Sequence, residues 1–382
     1  MERKKVLFVA TVVKTHMMQF HLPYLRMFHE MGWETAVAAK NDYDNPADCR
    51  IPDCDHYYDI PFHRLPWKLE NFTAYRMLKR VIDEGNYDIV HCHTPVGALV
   101  ARLAARSARK KGTRVIYTAH GFHFFRGAPK KNWLLFYPPE WALSFLTDDL
   151  ITINKEDLRL AEKHMHPKRL RYVPGVGIQP GKFVSTPEMR REKRQSLGFG
   201  EEDFLILTVA EMTKNKNHIT VLKALAALKG RPEYAHIHYL ICGRGDEQDT
   251  LQQAAWDLGI GDHVHFLGYR KDAAELYGAC DLFAFMTYRE GLPVALMEAM
   301  AAGMAIVCTR VRGNVDLIEE GVSGVFVEND PQDLKDRILE LYGDPERRAA
   351  LGAGAAEGVK PFGEETVHAK MREIYFGNDL TQ

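Results

Sequence analysis

The 382-residue chain contains no stretch of about 18 uncharged apolar residues, so its sequence predicts no membrane-spanning helix. Glycine (29 residues) and proline (18 residues) occur at ordinary frequency, which excludes collagen-like and low-complexity classes. The six cysteines form no CxxC pair, so we expect free thiols of a cytosolic protein rather than a disulfide framework or a zinc site. What is present is the composition of a globular protein, with 46% hydrophobic and 26% charged residues.

The start of the chain carries positive charge before a short apolar run at residues 6–13. That run ends at Lys14 without a small-residue cleavage site, so it predicts a first β-strand rather than a secretory signal.

Charge is distributed unevenly along the chain, although the formal net charge is only −1. Residues 1–175 contain 27 Lys+Arg against 19 Asp+Glu, whereas the remainder contains 23 against 32. This asymmetry indicates two domains with different partners. The basic excess is concentrated in residues 101–131. Nucleic acid, an anionic membrane surface, a phosphorylated substrate or simply a solvated helix face would each account for it.

Five short apolar runs in the first half and six in the second predict β-strands, and they alternate with segments of helical period, which predicts βαβ units and parallel sheets. The fold class is therefore α/β, with two Rossmann-like domains joined near a Pro/Gly-rich stretch at residues 174–187. We place the N-terminal domain at residues 1–178 and the C-terminal domain at 179–360. Residues 361–382 are expected to form a helix that returns to pack on the N-terminal domain.

Histidines recur where strands of the first half are predicted to end. His16 follows the first strand, His93 ends a later one, and His120 and His123 follow the next. Ligands of parallel sheets bind beyond the carboxyl ends of the strands. These four histidines are therefore candidate site residues.

The most informative segment is residues 288–303. A short apolar strand precedes it, Pro293 stands where a first helical residue is expected, and Gly303 ends the helix. The amides of Gly291, Leu292 and the helix start would form an anion site. Glu290 lies just before this helix and Glu298 within it, so both carboxylates can face one ligand.

This segment, R-E-G-L-P-V-A-L-M-E-A-M-A-A-G, closely resembles the E-x7-E element of retaining glycosyltransferases of family 4, which have the GT-B fold of two Rossmann-like domains facing across a cleft. Residues 117–124 resemble the T-x-H-G segment of that family. Residues 209–217 lie where the family has V-G-R-x-x-x-x-K-G, with Lys216 on the lysine and Glu211 in place of the arginine. Residues 240–245 and 266–270 resemble the G-x-G and F-L-G-x elements around the nucleotide. The likeness is strongest to bacterial exopolysaccharide and capsule glycosyltransferases.

The resemblance implies an acceptor-binding N-terminal domain and a C-terminal domain that binds a UDP-sugar. Lys216 would hold the donor diphosphate, Glu290 the sugar hydroxyls and Glu298 the ribose, while His120 would contact the donor sugar from the opposite domain. The predicted catalytic residues are thus His120, Glu290 and Lys216, with acceptor-side candidates His16, His93 and His123. The predicted donor-binding residues are Lys214, Gly243, Arg244, Tyr269, Gly291, Leu292 and Glu298. Lys214 is suggested as a partial replacement for the arginine missing at Glu211.

No carboxylate can be singled out as a covalent nucleophile. The family is usually held to retain configuration by front-face attack, in which the leaving phosphate helps to deprotonate the acceptor.

We expect no metal and no other cofactor. Two D-x-D matches, at residues 42–44 and 53–55, lie away from the donor motif, and short motifs of this kind arise by chance. His91-x-His93 lacks a clear third ligand.

The expected acceptor is a saccharide on undecaprenyl diphosphate or a similar lipid, so membrane contact is also expected. Residues 122–137 mix aromatic side chains with Arg126, Lys130 and Lys131, a combination suited to an anionic bilayer surface. Phe124, Phe125, Trp133 and Phe136 are the aromatic residues proposed to insert. The protein is then expected to be cytoplasmic and reversibly bound to the inner face of the cell membrane.

Three other functions remain open at this point. A UDP-sugar 2-epimerase shares the two-Rossmann architecture, and a non-catalytic nucleotide-sugar-binding subunit of an assembly complex would tolerate Glu211. A nucleic-acid-binding protein would use the basic stretch, but the sequence has no helix-turn-helix, zinc-finger or RNP signature.

Overall fold

A computed structural model describes residues 3–377 and divides the chain into two compact units. Unit 1 contains the residues up to Val173 together with the end of the chain from Lys370, and unit 2 is Pro174–Ala369. Each unit is a parallel sheet with helices connecting its strands, which confirms the predicted α/β class. No helix within residues 3–377 is long and apolar enough to cross a lipid bilayer.

Unit 1 contains a seven-stranded sheet in the order β3-β2-β1-β4-β5-β6-β7. Its strands are β1 Lys5–Val12, β2 Glu34–Lys40, β3 His56–Asp59, β4 Ile89–His93, β5 Arg114–Ala119, β6 Asp149–Thr152 and β7 Arg169–Tyr172. Every pairing is parallel. The order reverses between β1 and β4, so ligands are expected beyond the carboxyl ends of these two strands.

The helices of unit 1 connect most of its consecutive strands. They are α1 Met18–Phe20, α2 Leu22–Glu30, α3 Glu70–Gly85, α4 Pro95–Ala104, α5 Arg106–Lys110, α6 Lys130–Ser144 and α7 Lys155–His164. The first strand is followed directly by a π-helical turn, Val13–Met17. Central strands are apolar on both faces because helices cover both sides, and residues 6–10 of β1 are completely buried.

Unit 2 contains a six-stranded parallel sheet in the order β10-β9-β8-β11-β12-β13. Its strands are β8 Phe204–Val209, β9 Ile237–Cys242, β10 Val264–Gly268, β11 Leu282–Phe285, β12 Ala305–Thr309 and β13 Val325–Val327. The order reverses between β8 and β11, which places the loops after these strands at the expected ligand edge.

The helices of unit 2 are α8 Pro187–Leu197, α9 His218–Ala226, α10 Gln248–Asp257, α11 Ala273–Ala279, α12 Val294–Ala301, α13 Asn314–Leu317, α14 Pro331–Gly343, α15 Pro345–Gly358 and the start of α16 Glu364–Phe376. From Lys370 onward, α16 belongs to unit 1. There the Tyr375 hydroxyl lies 2.7 Å from His91 Nδ1, and the Arg114 guanidinium donates to the Tyr375 carbonyl at 2.8 Å. Residues 378–382 of the expected C-terminal helix lie outside the described part of the chain.

Candidate functional site

The start of α12 in unit 2 provides unpaired backbone amides. Pro293 is the N-cap, with extended backbone angles (φ −77°, ψ 120°), and the helix begins at Val294. The expectation that Pro293 is the first helical residue is therefore wrong by one position. The first amides of a helix have no intrahelical partner, and they favour an anion. Gly291 and Leu292 lead directly into this helix start.

Two of the predicted catalytic side chains are in direct contact in unit 2. Lys216 Nζ lies 2.7 Å from Glu290 Oε1, although 74 positions separate them in the sequence. The Thr287 hydroxyl donates to the same carboxylate oxygen at 2.6 Å. Glu290 is 9% exposed, so this pair is largely shielded from water and each charge depends on the other.

Glu298 lies inside α12 and accepts a hydrogen bond from the Tyr277 hydroxyl at 2.9 Å. Burial raises the pKa of this carboxyl, and the Tyr277 hydrogen bond opposes that shift. Tyr277 escaped the sequence analysis because it lies on α11, outside every motif considered.

Glycines allow the donor-side loops to approach each other closely. Gly243 has φ +155°, and a Cβ there would lie 1.9 Å from the Ala210 carbonyl oxygen. Gly313 has φ +82°, and its Cβ would lie 2.6 Å from the Gly291 carbonyl oxygen. Any larger residue would push apart the loops that carry the predicted donor-binding residues.

Two further side chains hold the loop before α12 and were not assigned a role from the sequence. The buried Arg312 guanidinium donates from Nε to the Glu290 carbonyl at 2.9 Å. Asn215 Nδ2 donates to the Arg289 carbonyl at 2.9 Å, which ties this loop to the one that carries Lys216. Both act on backbone atoms, for which a sequence motif gives little signal.

The remaining predicted donor-side residues have exposed side chains near the ends of β8, β9 and β10. They are Lys214, Arg244 and Tyr269. Glu211, which replaces the family arginine, also has an exposed side chain, and its carbonyl lies 3.1 Å from His218 Nε2.

Unit 1 brings three of the predicted histidines together with a fourth that the sequence analysis missed. We call His16, His21, His93 and His120 the histidine cluster, whose nearest nitrogens all lie within 4.8 Å of one another. His16 Nε2 is 3.1 Å from His21 Nε2, and His120 Nε2 is 3.4 Å from His93 Nδ1. His21 was overlooked because it falls within a predicted helix, five residues beyond His16.

The histidine cluster is uncharged at neutral pH. Burial lowers the pKa of His16 to about 3 and that of His120 to about 4. The pKa values of His21 and His93 also lie well below the ordinary value, chiefly because both rings are buried. Neutral imidazoles can exchange hydrogen bonds with sugar hydroxyls or bind a metal ion, but they do not attract a diphosphate by charge.

The histidine cluster is the one group of three or more potential metal ligands found within residues 3–377. Its nitrogen donors suit an ion such as Zn²⁺. His91 does not join it, because its two nitrogens lie 2.7 Å from the Tyr375 hydroxyl and 2.8 Å from the Thr118 hydroxyl.

The D-x-D aspartates serve local structure. Asp42 accepts hydrogen bonds from Thr15 Oγ1 at 2.9 Å and from the Lys14 amide at 2.6 Å. Asp55 accepts from the Thr35 amide at 2.9 Å.

His123 lies apart from the histidine cluster, and its ring centroid is 4.7 Å from that of Phe136. Both rings line a cavity of about 570 Å³ within unit 1, as does His16. The cavity therefore begins where the strands of unit 1 end.

The aromatic residues that were expected to insert into a membrane are buried or half-buried. Phe124 is buried, so the expectation is wrong for this ring, whereas Phe125, Trp133 and Phe136 are half-buried. Trp133 and Tyr137 pack on Phe124 with centroids 5.6 and 5.4 Å away, which turns one face of α6 toward the core. The same segment exposes a different apolar set, Leu134, Leu135, Trp141 and, just beyond the helix, Phe145.

Family models match both units. Residues 5–154 match the family described as Glycosyl transferase 4-like, and residues 189–358 match Glycosyl transferases group 1. Among curated proteins, EpsD of Bacillus subtilis (strain 168), which is named as a glycosyltransferase, is 40% identical over 375 residues, covering 97% of this chain and 96% of EpsD. An Escherichia coli enzyme, UDP-Gal:alpha-D-GlcNAc-diphosphoundecaprenol alpha-1,3-galactosyltransferase, is 25% identical over 276 residues, covering 71% of this chain and 70% of that enzyme.

Solved structures show the same fold along the whole chain. Anabaena HepE in complex with UDP and glucose has a TM-score of 0.79 and 19% identity, covering 98% of this chain and 99% of HepE. WaaG, a glycosyltransferase involved in lipopolysaccharide biosynthesis, has a TM-score of 0.75 and 19% identity, covering 97% of this chain and 100% of WaaG. The predicted GT-B class is confirmed as a fold of two parallel-sheet α/β domains with full-length likeness to glycosyltransferases.

Proposed function

This chain belongs to the group 1 glycosyltransferases, and from that premise we propose that it moves a sugar from a UDP-sugar to a lipid-diphosphate-linked saccharide, with retention of configuration, in bacterial surface polysaccharide synthesis. The observation that carries the proposal is the contact of Lys216 with Glu290 beside the start of α12. A cation, a carboxylate and unpaired amides at one helix start match a donor with a diphosphate and a sugar. The relatives and family models that match this chain are glycosyltransferases, and they favour neither the epimerase nor the non-catalytic alternative.

The donor and acceptor classes draw support from relatives. HepE has been solved with UDP-glucose as well as with UDP, and the Escherichia coli relative is named for UDP-Gal and for a diphosphoundecaprenol-linked acceptor. The site in unit 2 suits the shared part of such donors, the nucleoside diphosphate.

In the proposed reaction, negative charge grows on the leaving diphosphate as the bond to the sugar breaks. Lys216 and the amides at the start of α12 stabilise that charge, and they do so from preorganised positions that need no rearrangement during the reaction. Glu290 binds hydroxyls of the donor sugar, and Glu298 binds the ribose.

The acceptor oxygen bonds to the anomeric carbon of the sugar on the same face from which the diphosphate leaves, and its proton passes to an oxygen of that leaving diphosphate. This route needs no protein nucleophile. His120, neutral at physiological pH, contributes a hydrogen bond to the sugar rather than a charge. We propose that Lys216 and the helix start take the role that a divalent cation has in other glycosyltransferases, so transfer needs no metal and no other cofactor.

The test is a donor panel with purified full-length protein. UDP-hexoses and UDP-N-acetylhexosamines are offered with a farnesyl-diphosphate-linked hexosamine as acceptor, and the product's anomeric configuration is read by NMR. One UDP-sugar should be transferred with retained α-configuration, and Glu290→Gln should abolish most of that product. Transfer only from another nucleotide sugar, or an inverted product, would overturn the corresponding part of the proposal.

We also propose that the protein binds reversibly to the anionic cytoplasmic membrane surface. Arg126, Lys130 and Lys131 have exposed side chains at and just before the start of α6, and each such cation near an anionic leaflet contributes about 1 kcal/mol. Their replacement by glutamate should reduce sedimentation with anionic vesicles and transfer to a lipid-linked acceptor, while donor hydrolysis persists.

The matched control makes the same charge change at Arg106, Lys110 and Lys111, three exposed residues in and next to α5. If both triple variants lose vesicle binding equally, net charge rather than this segment is responsible. Unchanged binding in the α6 variant would refute the proposed surface.

A further inference from the structure

The cavity of about 570 Å³ in unit 1 has an apolar interior. Its buried lining residues include Val96, Tyr117, Phe122, Phe124 and Leu143. Sites for small organic ligands generally have volumes of about 300–1,000 Å³ and mostly apolar walls. This space is therefore large enough for a short piece of an apolar chain.

Two segments that contribute lining residues to the cavity also carry exposed apolar side chains. Leu65 and Trp67 line it, and the same stretch continues with Leu69 and Phe72, which are 85% and 63% exposed. The second stretch is in α6, where Leu135 lines the cavity and the neighbouring Leu134 is 81% exposed. Large side chains of this kind rarely face water together unless they meet a partner or a membrane.

The charges at the cavity favour an anionic ligand. Glu140 lines it, but the buried Arg102 binds both of its carboxylate oxygens, at 2.6 and 3.0 Å. Arg64 also lines the cavity, has an exposed side chain and makes no ion pair with a described residue. The net result is one available guanidinium at the edge of an apolar space.

Polar side chains also line the cavity. Thr11, Thr15 and His16 line it, and His16 belongs to the histidine cluster. A ligand that fits combines an apolar part, an anionic group and hydroxyls. An ordinary membrane phospholipid has no long neutral polar part to place beside these groups.

Building on the proposed transfer to a lipid-linked acceptor, we propose that this cavity binds the first isoprenoid units of a polyprenyl-diphosphate-linked saccharide, with Arg64 beside the diphosphate. The rest of the polyprenyl chain stays in the bilayer and meets the exposed apolar residues of the two stretches. The cavity is then a binding site for the acceptor lipid itself and is distinct from general attachment to a membrane surface.

The decisive variant fills the cavity. Leu99→Trp places a larger side chain at a lining position of α4, whereas Leu103→Trp makes the same change one helical turn later, at a residue that is 41% exposed and outside the lining. Binding of farnesyl diphosphate, measured by calorimetry, should weaken at least tenfold in Leu99→Trp and stay unchanged in Leu103→Trp. Circular dichroism melts identify any variant that fails to fold, and Leu135→Trp then serves as the second cavity-filling variant.

The variant Arg64→Glu distinguishes the contribution of the diphosphate to binding from that of the isoprenoid chain. This variant should weaken binding of farnesyl diphosphate but not of farnesol, which carries no phosphate. Equal binding of farnesyl diphosphate by wild type and both cavity-filling variants would overturn the inference. Displacement of the probe by a short-chain phosphatidylglycerol as readily as by geranylgeranyl diphosphate would also overturn it, because the cavity would then hold any lipid.

Kinetics distinguish failure of this inference from failure of the proposed function. Leu99→Trp should raise KM at least tenfold for a farnesyl-diphosphate-linked acceptor, leave it unchanged for the same sugar diphosphate without an isoprenoid, and leave donor hydrolysis intact. Equal KM values for wild type and variant with both acceptors would refute the cavity while leaving glycosyl transfer established. Absence of transfer to every acceptor, even with farnesyl diphosphate bound, would refute the function instead.

Discussion

The candidate sites of the two units differ in whether their central side chains are charged. In unit 2, the buried Glu290 carboxylate touches the Lys216 ammonium, and a helix start adds partial positive charge. In unit 1, four imidazoles, two buried and two half-buried, have lowered pKa values, and one of them, His16, lines an apolar cavity. The comparison teaches that a buried ion pair and a helix start concentrate charge in unit 2, whereas unit 1 presents weakly basic imidazoles and an apolar cavity with one exposed cation, Arg64, in its lining.

The largest expected effect on activity comes from replacing the charged residues of the site in unit 2. Glu290→Gln and Lys216→Ala should each lower transfer about 100-fold or more, the scale of losing one preorganised electrostatic contact. Lys216→Ala should also weaken UDP binding in calorimetry. Glu328→Gln and Lys223→Ala, at exposed positions of unit 2, are the controls. Wild-type rates in both site variants would show that the donor site lies elsewhere.

A smaller effect should come from the loop that supports the helix start. Gly313→Ala places a Cβ 2.6 Å from the Gly291 carbonyl, so the loop must move. A displacement of about 1 Å can cost up to 100-fold in activity, and we expect a 10- to 100-fold loss of transfer. Gly321→Ala is the control, because Gly321 also has a positive φ (+75°) but open space where the new Cβ would stand. Equal losses would attribute the effect to backbone strain alone.

Acidification should affect the two sites in opposite directions. Burial lowers the pKa of His120 to about 4 and that of His16 to about 3, so these side chains stay neutral in the folded state at mildly acidic pH. The same histidines in the unfolded chain bind protons below about pH 6.5. The free energy of unfolding therefore decreases as the pH drops from about 6.5 toward the lowered pKa values. Each such group costs about 1.4 kcal/mol per pH unit in that window. The raised pKa of Glu298 has the opposite sign, since the folded state then binds the proton more tightly than the unfolded chain.

Hydrogen exchange of the intact chain at pH 7.0 and 5.5, corrected for the intrinsic rate, measures this difference. Peptides around residues 91–93 and 120 should lose protection at the lower pH, whereas residues 294–301 should not. His21→Gln should reduce the pH effect in unit 1. Uniform loss of protection would show that the histidine cluster is not its source.

The smallest expected effect is that of a chelator, which should leave the transfer rate unchanged because Lys216 and the start of α12 supply the positive charge. The measurement compares rates before and after dialysis against EDTA. Loss of activity restored by Zn²⁺ would instead assign a metal to the histidine cluster. Restoration by Mn²⁺ or Mg²⁺ would point to the aspartate pairs.

Eleven of the thirteen strands described for residues 3–377 could be located from the sequence, because central parallel strands are short apolar runs. The two that escaped, β3 and β7, form the edges of the sheet in unit 1. Their sequences, HYYD and RLRY, are polar and partly exposed, since an edge strand needs little apolar surface.

Some residues of the candidate sites could likewise be identified from the sequence, and others could not. Glu290 and Glu298 were found because they belong to a motif with its own proline, glycine and helix start, and Lys216 was found because residues 209–217 resemble a second motif of the family. His21 and Tyr277 were not, because each has a helical context that gives no sign of a site. The exposed face of α6 was misjudged for a related reason: basic and aromatic composition indicates a surface, but not which side chains face it.

The sequence by itself determined the α/β alternation and, to within one residue, the helix start after β11. These depend on periodicity and on the local preferences of glycine and proline, which act over a few residues. The tertiary structure decided which distant groups meet: Lys216 with Glu290, four histidines from three segments, and Arg102 with Glu140 beneath an apolar cavity. Such contacts arise from the packing of separate elements, and burial then sets the charge state of the groups that meet.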